Sequence, residues 1–217
     1  MPEVKALLLD IGNVVVRLRT QAFLERLVPL CAPGTTEAQV LLSLRDPASP
    51  HHAYERGQID GAAFHQAQVQ RLGLRLDYRA WLSVWNDYFE PNRPMEALLA
   101  RLRGQAKFWA LSNTNHEHLS HVRLNFRVFD TFDGFTASHE VGARKPEPAI
   151  FEAALRSLRL PPAQVLYVDD IAEFVELGRG LGLRGFHYTY NDAELKEELL
   201  RLGFTLPSLD GRSSMNC

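Results

Sequence analysis

The chain has 217 residues, 46% of them apolar and 23% charged, a composition that excludes a disordered or fibrous chain and suffices for a full core, with or without an insertion. Its formal charge is −2 and its Lys and Arg residues are scattered, so no basic stripe exists to neutralise a nucleic-acid backbone. No apolar stretch nears the roughly 18 residues of a membrane span, and Cys31 and Cys217 alone make no disulfide framework.

Met1-Pro2-Glu3 leads straight into an apolar strand, without the pattern of a signal peptide, so a soluble cytoplasmic protein is expected. The first strand is Ala6-Leu7-Leu8-Leu9, which stops at Asp10. Gly12-Asn13 then opens a turn, and Val14-Val15-Val16 reads as a further extended piece. Helical signals follow. Thr20 is expected to cap a helix running to Cys31 before Pro33-Gly34, and Thr35-Thr36-Glu37 starts a second. Asp60 and Asp77 begin two more, carrying Phe64 and Leu72 in one and Trp81, Trp85 and Phe89 in the other. With no parallel strand visible in it, the stretch 17–91 reads as an all-helical cap inserted into the remainder.

From Arg93-Pro94 onward strands and helices alternate. Strands are expected at Lys107–Ser112, Phe132–Ala137, up to Asp169, and at Gly185–Thr189, with helices between them and a last one at Asp192–Leu202. Pro146 is expected in the first turn of one of these helices, where a missing N–H costs nothing. Such alternation implies an α/β fold with a Rossmann-like, doubly wound parallel sheet, formed by 1–16 and 92–206. Residues 207–217 read as a loose tail, and the Gly178–Gly182 cluster ends a helix instead of following a strand, so it is no dinucleotide signature.

Three apolar runs end at residues suited to phosphate chemistry: Ala6–Leu9 before Asp10, Phe108–Leu111 before Ser112-Asn113, and Val165–Val168 before Asp169-Asp170. Ligands bind at the carboxyl ends of strands in open parallel sheets, so these residues are expected to converge. Asp10 is the candidate nucleophile, since a carboxylate can attack phosphorus and divide one hard displacement into two easier ones. Ser112, Asn113 through the backbone N–H groups near it, and Lys145 are the candidate phosphate-binding residues, with Lys145 also assisting catalysis. Asp10 and Asp169-Asp170 would repel each other unless a hard cation such as Mg²⁺ lay between them. His116, His118 and His121 do not share a helical face and read as ordinary surface or loop residues instead of a zinc site.

The ordered set Asp10-Ile11-Gly12-Asn13-Val14, Leu111-Ser112-Asn113-Thr114-Asn115, Arg144-Lys145-Pro146 and Val168-Asp169-Asp170 resembles the haloacid dehalogenase superfamily of hydrolases. Within it the chain is most similar to the bacterial glucose-1-phosphate phosphatase group, with Glu55-Arg56-Gly57 matching a cap element. The resemblance implies a phosphatase with Asp10 as nucleophile, Ser112 and Lys145 on the phosphate, and Mg²⁺ held by Asp10, the Gly12 carbonyl and Asp170 with Asp169 beside them. It implies a small phosphorylated metabolite as substrate, including a sugar phosphate, and a monomer or homodimer. Two positions depart from the family pattern: Gly12 stands where many members carry an acid-base Asp, and Phe174 where relatives carry a polar residue near the metal. A 2-haloacid dehalogenase and a catalytically silent phosphometabolite binder are the alternatives.

Overall fold

The computed structural model describes residues 3–207, so Cys217 and most of the expected tail lie outside the described residues. Five parallel strands form the central sheet: β1 (Ala6–Leu9), β4 (Lys107–Ser112), β5 (Gly134–Ala137), β6 (Val165–Asp169) and β7 (Arg184–His187), in the order β5-β4-β1-β6-β7. Two further strands, β2 (Val16–Leu18) and β3 (Phe89–Pro91), pair antiparallel as a separate ribbon. The first strand is thus flanked by the two others that end in polar residues. Leu9 lies level with both Ala110 and Val168, so one residue further along Asp10 comes level with Asp169. Its backbone N–H extends the ladder by bonding the Val168 carbonyl at 3.0 Å.

Side-chain alternation divides β1 between the two faces of the sheet. Leu7 and Leu9 enter a cluster with Met95, Leu98 and Leu102 of α6 (Arg93–Leu102), Leu119 and Val122 of α7 (His116–Asn125), and Leu195 and Leu199 of α11 (Asp192–Arg201). Ala6 and Leu8 enter the opposite cluster with Ile150, Phe151 and Leu158 of α9 (Pro148–Leu158) and Val175 of α10 (Ala172–Gly180). The short helix α8 (Ser138–Val141) closes the far edge after β5. Both faces of β1 are dry, which is why it reads as an unbroken apolar run.

Between the ribbon strands lie α1 (Thr20–Leu27), α2 (Glu37–Arg45), α3 (Pro50–Glu55), α4 (Gly61–Leu72) and α5 (Tyr78–Asn86). They enclose a core of their own, centred on Phe23, Tyr54, Phe64, Trp81 and Trp85. Three of the four expected starts are found. Thr36 closes a capping box with Gln39, Asp60 accepts from the Ala63 N–H at 2.8 Å, and Asp77 from that of Ala80 at 2.7 Å. Thr20 differs, because the Arg19 N–H bonds the Tyr88 carbonyl and carries the ribbon one residue further. Thr20 therefore becomes the first helical residue, and its hydroxyl meets the Tyr88 phenol at 3.0 Å. The helix stops at Leu27, where the turn Val28–Leu30 accommodates Pro29, short of the expected Cys31.

The segment is helical as expected, but the ribbon framing it escapes a periodicity reading because each strand has only three residues. Pro146 also lies elsewhere than expected. Glu147 flanks α9 and Pro148 fills its first position, which leaves Arg144–Glu147 as a loop free to send Lys145 inward.

The helical layer meets the sheet domain around His118. Its ring lies 4.5 Å from that of Trp85, nearly parallel, and edge-on to Phe89 at 4.8 Å. Nε2 donates to the Trp85 carbonyl at 3.0 Å, while Asn115, whose Oδ1 caps α7, turns its amide toward Nδ1 at 3.3 Å. Both ring nitrogens are satisfied in the neutral form, and a second proton would set donor against donor. Burial accordingly holds its pKa down at about 3 from an ordinary 6.5. Protonation then favours the unfolded chain, so this residue's contribution to stability is present above pH 6.5 and lost as pH falls toward 3. Urea unfolding of the wild type and His118→Gln between these limits is expected to differ in slope by up to about 1.4 kcal/mol per pH unit.

Candidate active site

The register brings the carboxyl ends of β4, β1 and β6 to one rim of the sheet, with the loop before α9 folded over it. Asp10, Asp169 and Asp170 each offer an oxygen there, all within 4.8 Å of one another. Lys145 reaches in from the loop, its Nζ 2.8 Å from Asp10 Oδ1 and 2.6 Å from Asp169 Oδ2. Lys145 is 2% exposed and Asp169 fully buried, so little water screens these pairs.

Each acid has distinct surroundings. Asp169 is held by Lys145, by the Tyr167 hydroxyl, and by the Ile171 N–H on its other oxygen at 2.9 Å. Asp170 accepts from Asn13 Nδ2 at 3.1 Å and from the Tyr190 hydroxyl at 3.2 Å. Among the described side chains Asp10 has the lysine alone, and burial pushes its pKa up to about 7, against the pull of Lys145 and with the push of Asp169. Burial also raises Asp170, with Asn13 opposing. Burial works against the Lys145 ammonium, but the Asp10 and Asp169 carboxylates outweigh it and hold its pKa above the ordinary value.

A cavity of about 430 Å³ opens over this rim, and Asp10, Gly12, Ser112, Asn113, Lys145 and Asp170 all line it. Asp169 does not line it and stands behind Lys145. Ser112 Oγ has no hydrogen-bond partner among the described residues and remains available to a ligand. Asn113 is occupied: its Oδ1 accepts from the Lys145 N–H at 2.7 Å and its Nδ2 donates to the Lys145 carbonyl at 2.9 Å. Its side chain therefore fixes the lysine backbone from the cavity wall.

Glu55-Arg56-Gly57 docks the helical layer onto the same loop. Glu55 pairs with Arg144 at 2.7 Å and Arg56 with Glu147, on either side of Lys145. Gly57, at φ +66°, lies so close to the chain that a Cβ would sit 2.3 Å from the His139 carbonyl oxygen, so no side chain is tolerated. Phe174, the second departure, places its ring 5.3 Å from Lys145 Nζ and covers the ammonium as a cation–π partner. Asn13, at φ 58°, uses its left-handed backbone to reach Asp170, while its Oδ1 receives the Leu18 N–H at 3.3 Å. Tyr167 and Tyr190 were not among the residues expected from the sequence: Tyr167 lies two residues before Asp169 on the same strand and reads as part of its apolar run, while Tyr190 meets Asp170 only through the fold.

Among the described residues the three aspartates form the one cluster of potential metal ligands, and the histidines of α7 form none. No described helix is long and apolar enough to cross a membrane. The family model for haloacid dehalogenase-like hydrolases matches residues 4–182. D-ribitol-5-phosphate phosphatase of Bacteroides thetaiotaomicron is 25% identical over 206 residues, covering 90% of this chain and 97% of the relative. A sesquiterpene phosphatase of Aspergillus oryzae is 30% identical over 139 residues, covering 63% and 70%. The crystal structure of a haloacid dehalogenase family enzyme from B. thetaiotaomicron, in complex with magnesium and inorganic phosphate, superposes with a TM-score of 0.74 at 26% identity, covering 85% of this chain and 93% of that one.

Because the folded pKa of Asp10 exceeds its unfolded value, the native state is destabilised as pH rises from about 3.8 toward about 7 when no divalent ion is present. Asp10→Asn removes that burden. In chelator the variant is expected to melt above the wild type at pH 8, and the advantage is expected to vanish at pH 4, as thermal unfolding at both values will reveal.

Proposed function

The chain belongs to the haloacid dehalogenase-like hydrolases, and we propose that it is a Mg²⁺-dependent phosphomonoester hydrolase that acts on a small phosphorylated metabolite through an aspartyl-phosphate on Asp10. The observation that carries this reading is the meeting of three carboxylates around a single ammonium at the floor of a cavity. Three acids against one lysine leave an excess of negative charge where anionic phosphate must enter. An all-oxygen donor set of this kind fits a hard divalent cation. Asp10, Gly12 through its carbonyl, and Asp170 would hold it, with Asp169 beside them keeping Lys145 in place. Bound Mg²⁺ would screen the nucleophile from the phosphate and polarise the phosphoryl oxygens. The complex of the B. thetaiotaomicron enzyme with magnesium and phosphate supports this assignment.

Asp10 attacks phosphorus as the bond from phosphorus to the ester oxygen breaks, so the phosphoryl group becomes an acyl phosphate on Asp10 and the alcohol departs. Lys145 Nζ and Ser112 Oγ donate to the phosphoryl oxygens, where positioned charge does most of the work of such transfers. Asn113 acts by clamping the backbone of Lys145. Water then attacks the same phosphorus, the bond to Asp10 breaks, and phosphate leaves with the carboxylate restored. Gly12 offers no proton to the departing oxygen, which takes one from water, so weakly basic leaving groups are favoured.

A metal-independent dehalogenase would use the same nucleophile and the same Asp169-held lysine but would give Asp170 no ion to hold. The silent-binder reading draws on Gly12 and Phe174, yet Phe174 covers Lys145 without displacing it from Asp10.

Phosphate release from a panel of monoesters is expected to require Mg²⁺, to cease in chelator, and to fall about 10³-fold or more in Asp10→Asn. Metal-independent halide release from 2-haloacids would instead establish the dehalogenase. The three heavy atoms nearest a Cβ at Gly12 are Leu18 side-chain carbons, the closest at 3.3 Å, so a larger residue can be placed there with a small shift of that side chain. Gly12→Asp is expected to flatten the dependence of kcat on leaving-group basicity, raising rates for the most basic alcohols by about 10²-fold.

A further inference from the structure

The cavity walls above the carboxylates differ in character from its floor. They carry Leu18 and Phe89 of the ribbon, Leu41 and Leu44 of α2, Trp85 in the last turn of α5, and Tyr88 between α5 and β3. Trp85 is fixed in place, stacked on Trp81 at 5.2 Å on one side and on His118 at 4.5 Å on the other. The Tyr88 hydroxyl is spent on Thr20.

The polar groups that the helical layer adds to these walls are mostly committed to each other. Glu55 holds Arg144 at 2.7 Å, and His51 gives Nδ1 to the Leu44 carbonyl at 3.1 Å while its Nε2 faces Glu55 at 3.8 Å. Among the described residues of that side, Arg45, exposed at the rim, His52, whose pKa burial lowers toward the neutral form, and the buried indole N–H of Trp85 remain uncommitted. A polyol leaving group would bring several hydroxyls into this space and strip their water. Each one left unpaired weakens binding about tenfold or more. A hydrocarbon group gains on the same surface, at roughly fourfold for each methylene buried.

From this juxtaposition of an apolar, aromatic-lined wall with a phosphate-binding floor, we infer that the preferred substrates are monophosphate esters of apolar alcohols and not of sugars. The inference rests on the phosphatase reading and names the substrate class for that site. The floor takes the phosphate, and the wall takes the hydrocarbon. The volume of about 430 Å³ lies within the roughly 300–1,000 Å³ of small-molecule sites.

The test holds leaving-group chemistry constant. Phenyl phosphates with para-alkyl chains of one to six carbons are compared, under Mg²⁺, with analogues bearing hydroxyls along the same chain. Values of kcat/KM are expected to climb about threefold to fourfold per methylene until the wall is filled, and to drop about tenfold or more on hydroxylation. A flat series, or a preference for the hydroxylated members, overturns the inference while leaving the phosphatase reading intact. If no ester is hydrolysed, the phosphatase reading fails alone, and the wall is judged by calorimetry with the matching para-alkylphenylphosphonates, for which the same rise is expected and a flat series is again fatal. Leu44→Asp places a charge on the wall away from the acids. It is expected to abolish the chain-length dependence while inhibition by inorganic phosphate stays unchanged; an unaltered chain-length dependence in a folded variant would overturn the placement of the hydrocarbon on this wall.

Discussion

The rest of the structure depends on one buried ammonium. Lys145 stands between Asp10 and Asp169 in a place with almost no water, and without it two carboxylates at adjacent strand ends would face each other bare. Removing the lysine typically costs about 3–5 kcal/mol, because Asp10 then stays buried with no side-chain partner for its charge. The surroundings are built to hold the lysine still: Asn113 grips its backbone with two hydrogen bonds, Asp169 is pinned in turn by Tyr167 and the Ile171 N–H, and Phe174 covers the ammonium.

The sheet contributes by register. Placing β1 between β4 and β6, with Leu9 level with Ala110 and Val168, sets the nucleophile candidate beside its acidic partner without any long-range adjustment. The helical layer contributes the walls. It packs on a core of its own, and the apolar residues of α2 and α5 face the cavity over a charged floor. On the proposed reading, charge below and hydrocarbon above would divide the recognition of a phosphate ester between two parts of the chain.

Much of this was legible in the sequence, and the parts that were not share a cause. Asp10, Ser112 and Asp170 announce themselves because each follows a short apolar run that can only be a buried strand, and strand ends in a parallel sheet have a known destination. Thr36, Asp60 and Asp77 are legible because capping is local, decided within three residues. Thr20 misleads because the ribbon that displaces it pairs residues some seventy positions apart. Pro146 and Pro148 satisfy the same local rule, and only the need for Lys145 to turn inward decides between them. The two bonds from the Asn113 side chain to the lysine backbone are not legible because they join residues 32 positions apart, and Tyr190 has no local signature at all, since its link to Asp170 is created by the fold.

The docking of Glu55 and Arg56 on either side of Lys145 ties two events that are usually separable. Any widening of the gap above the carboxylates that lifts α3 must release Arg144 and Glu147, which bracket Lys145 and Pro146 on the same loop. On the proposed reading, admission of a bulky guest would be felt at the charge that receives its phosphate. Readiness of the anion receptor would then be a property of the shut molecule, sensed through two ion pairs at its edge.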